Sequence, residues 1–553
     1  MPHSREELRW NGWGLRSQGF DLKGNDAAVW DFVRRTIGLA ELPATPPVPL
    51  AQVDLPESRL DESLVDALRA SLGAAKVKLG DYERAFHAMG RSYADLVRLR
   101  AGELGDTVPD AVVYPETEAE VADVLAQCAA AGVAVVPFGG GSSVVGGVEA
   151  QKAADQTGVV TLDTTLMAKL LDLDPVSHTA TFQAGIYGPD LEAELQRRGF
   201  TLGHYPQSFE FSTLGGWIAA RGAGQQSNRY GCADEWTVGV RLITPEGEWR
   251  TLPFPHSAAG PDLNELVAGS EGTLGVITEA TVRIHELPAK RDYRAYLFKS
   301  FEAGVAAVRR IVQAEIPVAM MRLSDPDESH FFGSFKGLLK PPGTVESAGE
   351  KALAAAGYGD GRAVLMIGLE GDPLDVRHSL ARTMAAAVRE GGLPVGTGPG
   401  KAWYEQRFAM PYLRDPMLDR GVGIDTLETS TQWSKVPTLY AAVRRAIRSS
   451  LGPDAAILTH VSHSYTDGCS LYFTFFFARD LEDPMGQWRQ VKRAASDAIA
   501  ESGGTISHHH GVGTDHAEWF RPEKGPLAIE MLRAAKERLD PANILNPGKL
   551  FER

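Results

Sequence analysis

Along the first hundred residues, apolar positions recur at helical spacing, as over 63–72 and 82–99, and predict a mainly helical segment for 1–106. A proline-rich stretch, ELPATPPVPL, interrupts it as an extended connector. From Val108 the pattern changes. PDAVVYPET reads as a strand and turn, and TEAEVADVLAQCAAAG as an amphipathic helix opened by a Thr117/Glu120 capping box. VAVVPFGGG then reads as a strand running into a glycine loop, and short strands follow at 159–162, 178–182 and 238–242. The period-two alternation over 273–284 predicts another. After Leu287, helices at 301–313, 375–391 and 436–450 mix with strands at 363–369 and 470–477. The run LYFTFFF reads as a buried strand. The tail holds two helical patterns around a histidine loop. The organisation expected is 1–106 helical, 107–287 a two-part α+β domain, 288–500 a second α+β domain, and 501–553 a C-terminal helical segment.

Three glycine-rich segments change the picture from fold to chemistry. PFGGGSSVVGG (137–147) allows close backbone approach, and successive N–H groups there can nest an anion. It is not a dinucleotide GxGxxG, because no suitable helix follows, nor a Walker loop, because GK[ST] is missing. SFEFSTLGGWIAARGAG (208–224) and GSEGTLGVITEATV (269–282) supply two further small-residue stretches. Together the three predict one groove lined by backbone donors, suited to a dinucleotide pyrophosphate.

Charge and composition narrow the partners. Fifty-six Lys+Arg against 71 Asp+Glu give a net charge of −15, which repels nucleic acid. Three separated cysteines, Cys128, Cys232 and Cys469, form no CxxC pair and predict neither a disulfide framework nor a metal cluster. The charged N-terminus is unlike a secretory signal, no apolar run is long enough to span a bilayer, and Phe551-Glu552-Arg553 is not a peroxisomal address. Cytoplasmic placement is expected, with at most peripheral membrane contact.

The three glycine segments resemble the FAD-contacting stretches of vanillyl-alcohol-oxidase (PCMH) type flavoproteins. RWNGWG (9–14), GHYPQSFEFSTLGGW (203–217), LETSTQW (427–433) and SHHHGVG (507–513) together resemble the alkyldihydroxyacetonephosphate synthase family, over nearly the whole chain. The resemblance implies a two-subdomain α+β FAD-binding domain with a substrate-binding cap and helical terminal segments. FAD would be non-covalent, since the first loop lacks the histidine of bicovalent members. The implied FAD contacts are Pro137, Phe138, Gly139, Gly140, Gly141, Ser142 and Ser143 from the first segment. Gln207, Ser208, Ser212, Thr213, Gly215, Gly216, Ala220, Arg221, Gly222 and Ala223 come from the second. Glu271, Gly272, Thr273, Leu274, Gly275, Val276 and Ile277 come from the third.

The same resemblance assigns Tyr465, His508, His509 and His510 to proton movement, Arg414 to the substrate phosphate and Arg322 to a supporting catalytic role. The reaction implied exchanges the acyl group of acyl-dihydroxyacetone phosphate for a fatty alcohol without net redox change, in a homodimer. Read by themselves, these residues are compatible but less specific. Three adjacent histidines cannot all face one point, so a His3 metal site is not expected. They fit either an exposed polar loop or a proton-handling site. Tyr465 would need a depressed pKa to act as a base. Arg414 and Arg322 could equally form ion pairs with Asp415 and Asp325. Thr514-Asp515-His516 departs from the basic residues of animal family members, and DPANILNPGKL (540–550) is shared with flavin dehydrogenases of 2-hydroxy acids. A dehydrogenase or oxidase of a hydroxy acid or alcohol, and a non-catalytic flavin or lipid carrier, therefore stay open.

Overall fold

The computed structural model describes residues 4–340 and 343–551, so Glu552 and Arg553 of the C-terminal triplet lie outside it. Three main sheets organise the chain. The first is four-stranded, in the order Val77–Lys78, Ala111–Val113, Gly158–Asp163, Val133–Phe138. Its last three strands are parallel, and the tail returns so that Leu545 bridges Val135 at its edge. Helix Glu118–Ala131 covers one face, burying Val121, Val124, Leu125 and Cys128 beside Leu64 and Leu68 of helix Glu62–Leu72. Each such apolar side chain contributes about 1.5–3 kcal/mol on burial. Thr117 Oγ accepts from Glu120 N–H at 3.2 Å, capping the helix, while the Glu120 carboxylate reaches Glu116 N–H rather than closing the box on Thr117.

The second sheet is antiparallel and five-stranded: Leu170–Asp174, Thr179–Gln183, Val276–Arg283, Thr237–Thr244, Gly247–Arg250. Its inner face packs Phe182, Trp217 and Trp236. The expected strand over 273–284 starts only at Val276, because Gly272–Gly275 form the turn that enters it. The third sheet, also antiparallel, has seven strands: Leu393–Pro394, Lys290–Phe298, Ala363–Gly371, Met320–Ser324, Ala456–Val461, Gly468–Ala478, Val422–Gln432. Helices Phe301–Gln313, Pro373–Arg389 and Val436–Leu451 pack on it, and Pro484–Glu501 packs against Val436–Leu451. The LYFTFFF run lies in strand Gly468–Ala478 and is buried on both faces: Phe473, Phe475 and Phe477 enter one core and Phe476 another.

The helix expected over 82–99 is two, Asp81–Phe86 and Tyr93–Ala101. The break admits the glycine-rich loop: Arg91 N–H donates to Ser143 O at 2.6 Å, where a side chain on Gly90 would collide. Within the N-terminal segment, the two-residue strand Val77–Lys78 joins the first sheet. No described helix is long and apolar enough to cross a membrane.

Candidate active site

The glycine loop leaves strand Val133–Phe138 and runs against the Phe211–Thr213 stretch so tightly that a Cβ on Gly140 would overlap the Phe211 carbonyl. Gly141 takes φ +70°, which turns the loop. Among the described residues, the N–H groups of Gly140, Gly141, Ser142 and Ser143 meet no protein acceptor. A main-chain cradle with four uncommitted donors is what a pyrophosphate needs, so these residues fit the FAD that the sequence implies. Arg5 braces the loop from behind, donating to Gly139 O at 2.8 Å and to buried Asp163 at 2.5 Å. Nothing in the RWNGWG string pointed to Arg5, four residues before it.

Side chains of several implied FAD contacts also hold the fold together. Ser143 Oγ accepts from Gly147 N–H at 3.0 Å, and Ser212 Oγ accepts from Trp217 Nε1–H at 2.7 Å. Thr213 Oγ caps helix Leu214–Ala219. Gln207 donates to Arg407 O, and Arg221 is held by Asp234 and Glu265. Val276 is packed in the core of the first sheet and Ile277 in that of the second. Glu271 turns to the histidine loop, accepting from the N–H groups of Val512 and Gly513. Burial nonetheless pushes its carboxyl up to about 7, against the pull of those two donors and Lys549.

That loop, Ser507 to Gly513, lies between the flavin-domain residue Glu271 and the cap strand Val422–Gln432. Thr505 N–H donates to Ser430 O, and Thr429 Oγ–H to Thr505 O, so the strand edge carries the chain into the loop. Glu428 of this strand accepts from Ser507 Oγ–H at 2.7 Å and from the main-chain N–H groups of His508, His509 and His510 at 2.6, 3.2 and 3.0 Å. The loop is therefore not an exposed polar turn.

Tyr465 sits in the turn before strand Gly468–Ala478. Trp433 Nε1–H donates to its carbonyl and Asn228 Nδ2–H to that of Ser464. Its hydroxyl is 2.6 Å from His508 Nε2 and 3.9 Å from Cys232 Sγ. Burial, reinforced by the Cys232 thiol, raises the phenol well above its ordinary value rather than depressing it. It is therefore a protonated phenol within hydrogen-bond distance of His508 Nε2. His508 Nδ1 lies 2.9 Å from His509 Nδ1, so the three side chains form one hydrogen-bonded relay. Burial holds all three loop imidazoles below the ordinary histidine value, although Glu428 pulls each upward. His463, which the sequence reading passed over, stacks on His508 with ring centroids 4.8 Å apart. The ligand atoms of His463, His508 and His509 all lie within 4.8 Å of one another. The two His508 nitrogens are taken up by Tyr465 and His509.

The two arginines are placed differently from each other. Arg322 does not pair with Asp325, which is held by Arg444; it donates to Glu328 at 2.9 Å and lies 3.0–3.1 Å from the ring nitrogens of His460. His460 stacks on Tyr472, whose ring centroid is 6.1 Å from that of His509, so Arg322 reaches the loop only through intermediaries. Arg414 forms no pair with Asp415, which is taken by Arg9 and by Trp13 N–H of the RWNGWG loop. It donates to Arg91 O at 2.5 Å, and its charge acts on His510. Burial raises Asp515 to about 8, against the pull of Lys492. The departure at 514–516 thus adds a largely neutral carboxyl within reach of the Lys492 charge, not a competing anion.

Residues 109–253 match the family described as "FAD binding domain" and residues 287–550 that described as "FAD linked oxidases, C-terminal domain". A Trypanosoma brucei brucei protein named alkyldihydroxyacetonephosphate synthase is 33% identical, covering 99% of this chain and 92% of its own. A Dictyostelium discoideum protein of the same name is 32% identical over 99% and 94%. A solved structure of alkyldihydroxyacetonephosphate synthase superposes with a TM-score of 0.84 at 28% identity, covering 99% of both chains.

Proposed function

Because this chain belongs to the alkyldihydroxyacetonephosphate synthase family of FAD-dependent enzymes, we propose that it replaces the acyl group of acyl-dihydroxyacetone phosphate with a fatty alcohol, without net redox change. The observation that carries this reading is the Tyr465–His508–His509 relay, held between the flavin domain and the cap. Bound FAD supplies a reversible electrophile for the carbon that changes partners. The protein's part is to move protons and hold the ester.

A redox-neutral exchange needs one proton taken from the substrate carbon and returned to it as the ether forms, and one taken from the incoming alcohol. Neutral imidazoles at His508 and His509 accept such protons, and the Tyr465 phenol returns them through His508 Nε2. His510, nearest in charge to Arg414 and Lys492, faces the side where a phosphate would sit. Arg414 offers the guanidinium fork for that phosphate. Arg322 acts as a support, fixing His460 beneath Tyr472. Ether-lipid synthesis, homodimeric assembly, peripheral membrane contact and cytoplasmic placement belong to the same proposal.

The test is product analysis. Purified FAD-loaded protein given palmitoyl-dihydroxyacetone phosphate and hexadecanol labelled with oxygen-18 should release palmitate and retain the label in an alkyl ether. Label-free product, or oxidation of the alcohol, contradicts the exchange.

A further inference from the structure

The histidine loop is wrapped around a side chain to which no role has yet been given. Glu428 is buried on strand Val422–Gln432, with 1% of its surface exposed. Its two oxygens collect the Ser507 hydroxyl and three successive main-chain N–H groups, those of His508, His509 and His510. It also lies 3.5 Å from His509 Nδ1 and 3.7 Å from His510 Nδ1. A surface loop needs no buried carboxylate, and such a group is costly unless its lone pairs are satisfied. Here four donors satisfy them. Burial alone would push the Glu428 carboxyl up, but His509, His510, His508 and the Ser507 hydroxyl hold it well below the ordinary carboxylate range. It is therefore an anion facing three imidazoles whose protonated form it favours.

The other groups facing the loop do not duplicate it: Glu271 accepts only from the N–H groups of Val512 and Gly513, past the three histidines. His460 from strand Ala456–Val461 and His463 from the turn after it are imidazoles held below the ordinary histidine value by burial. Tyr465 and Tyr472 are phenols raised by burial. Lys492 of helix Pro484–Glu501 and Arg414 oppose a positive charge on His510. Asp234 favours a charge on His508. Glu428 is the carboxylate that acts on all three.

We propose that Glu428 is the positioning residue of the proton-moving loop: it fixes the three imidazoles through their main chain and supplies the fixed negative charge against which they take up a proton. This rests on the proton-relay reading of the site. The tests are Glu428→Gln, which keeps the shape and removes the charge, and Glu428→Asp, which keeps the charge and shortens the reach. On FAD-loaded protein, Glu428→Gln is expected to retain the flavin spectrum and to lower kcat at least tenfold with little change in KM. Removing an anion disfavours imidazolium, so the acid limb of kcat/KM should move to lower pH; Glu428→Asp should restore the limb's position in part. A wild-type kcat, or a fall in kcat with an unmoved limb, overturns the proposal. A second readout is independent of which reaction is catalysed. In carbon-13 histidine-labelled holoenzyme, the imidazole titration midpoints of the loop should fall in Glu428→Gln. Should the wild-type protein form no ether product while these midpoints still fall, the reaction assignment fails and the role of Glu428 stands. Unmoved midpoints overturn it, and if Glu428→Gln does not fold, the same comparison is made with Glu428→Asp, whose longer carboxylate–imidazole distances must also lower them.

Discussion

In the flavin domain the candidate ligand groove is lined by main chain, and between that domain and the cap the candidate reactive centre is made of side chains gathered from far apart. Gly140 to Ser143 present four N–H groups from consecutive residues, and the shape of their loop follows from having no side chain where Phe211 comes close. The reactive centre instead joins Glu428, His463, Tyr465 and His508–His510, which arrive on one strand edge, one turn and one C-terminal loop. A main-chain site depends on backbone shape and tolerates no added bulk. A side-chain site depends on a few functional atoms and on the carboxylates that orient them.

The sharpest break between the two comes from Gly140→Val. The side chain would drive the first loop off the Phe211–Thr213 segment, and the protein should purify without visible flavin absorbance and without activity. A yellow, active Gly140→Val protein would contradict the main-chain cradle. Tyr465→Phe should do the reverse, keeping bound FAD while kcat drops by about 10²–10⁴-fold, the range for loss of a positioned acid or base. A drop in flavin content with Tyr465→Phe would erase the contrast.

The pH profile sharpens it further. The loop imidazoles must be neutral to accept a proton, and burial holds them below the ordinary histidine value of about 6.5. As a group with lowered pKa stays neutral further into acid, kcat/KM should hold level through about pH 6.5 and fall only below it. An acid limb centred at or above that value would mean the loop is not the neutral base described. The smallest effect is Thr117→Ala. Losing the cap of helix Glu118–Ala131 should cost about 1 kcal/mol in denaturant unfolding and leave kcat unchanged, because that helix carries none of the candidate site residues.

The same contrast explains what the sequence revealed. The three glycine segments are contiguous, so a groove of backbone donors suited to a dinucleotide pyrophosphate was legible from the sequence, and the resemblance of those segments implied FAD. The strands and helices with clear periodicity, such as Val276–Arg283 and Phe301–Gln313, were legible for the same local reason. Strand Val422–Gln432 was not. Its sequence, VGIDTLETSTQ, carries Asp425 and Glu428 at positions that turn out to be half or fully buried, where alternation would place apolar side chains. A buried glutamate is readable only once the loop that satisfies it has been brought alongside, some 80 residues later. The break at Gly90 and the Arg5 brace were hidden likewise, since both answer to the glycine loop and not to their own neighbours. The expected ion pairs of Arg322 and Arg414 with adjacent aspartates failed because those carboxylates are claimed by Arg444, Arg9 and Trp13 from distant segments.

The central claim is that a flavin cradle and a proton relay cooperate in an exchange with no net redox change. An anaerobic absorbance titration tests it most directly. With palmitoyl-dihydroxyacetone phosphate the oxidised flavin band should fade as palmitate is released, and hexadecanol should restore it without any electron acceptor. Lasting bleaching by a 2-hydroxy acid, with no response to the phosphate ester, would contradict the account and make this protein a flavin dehydrogenase.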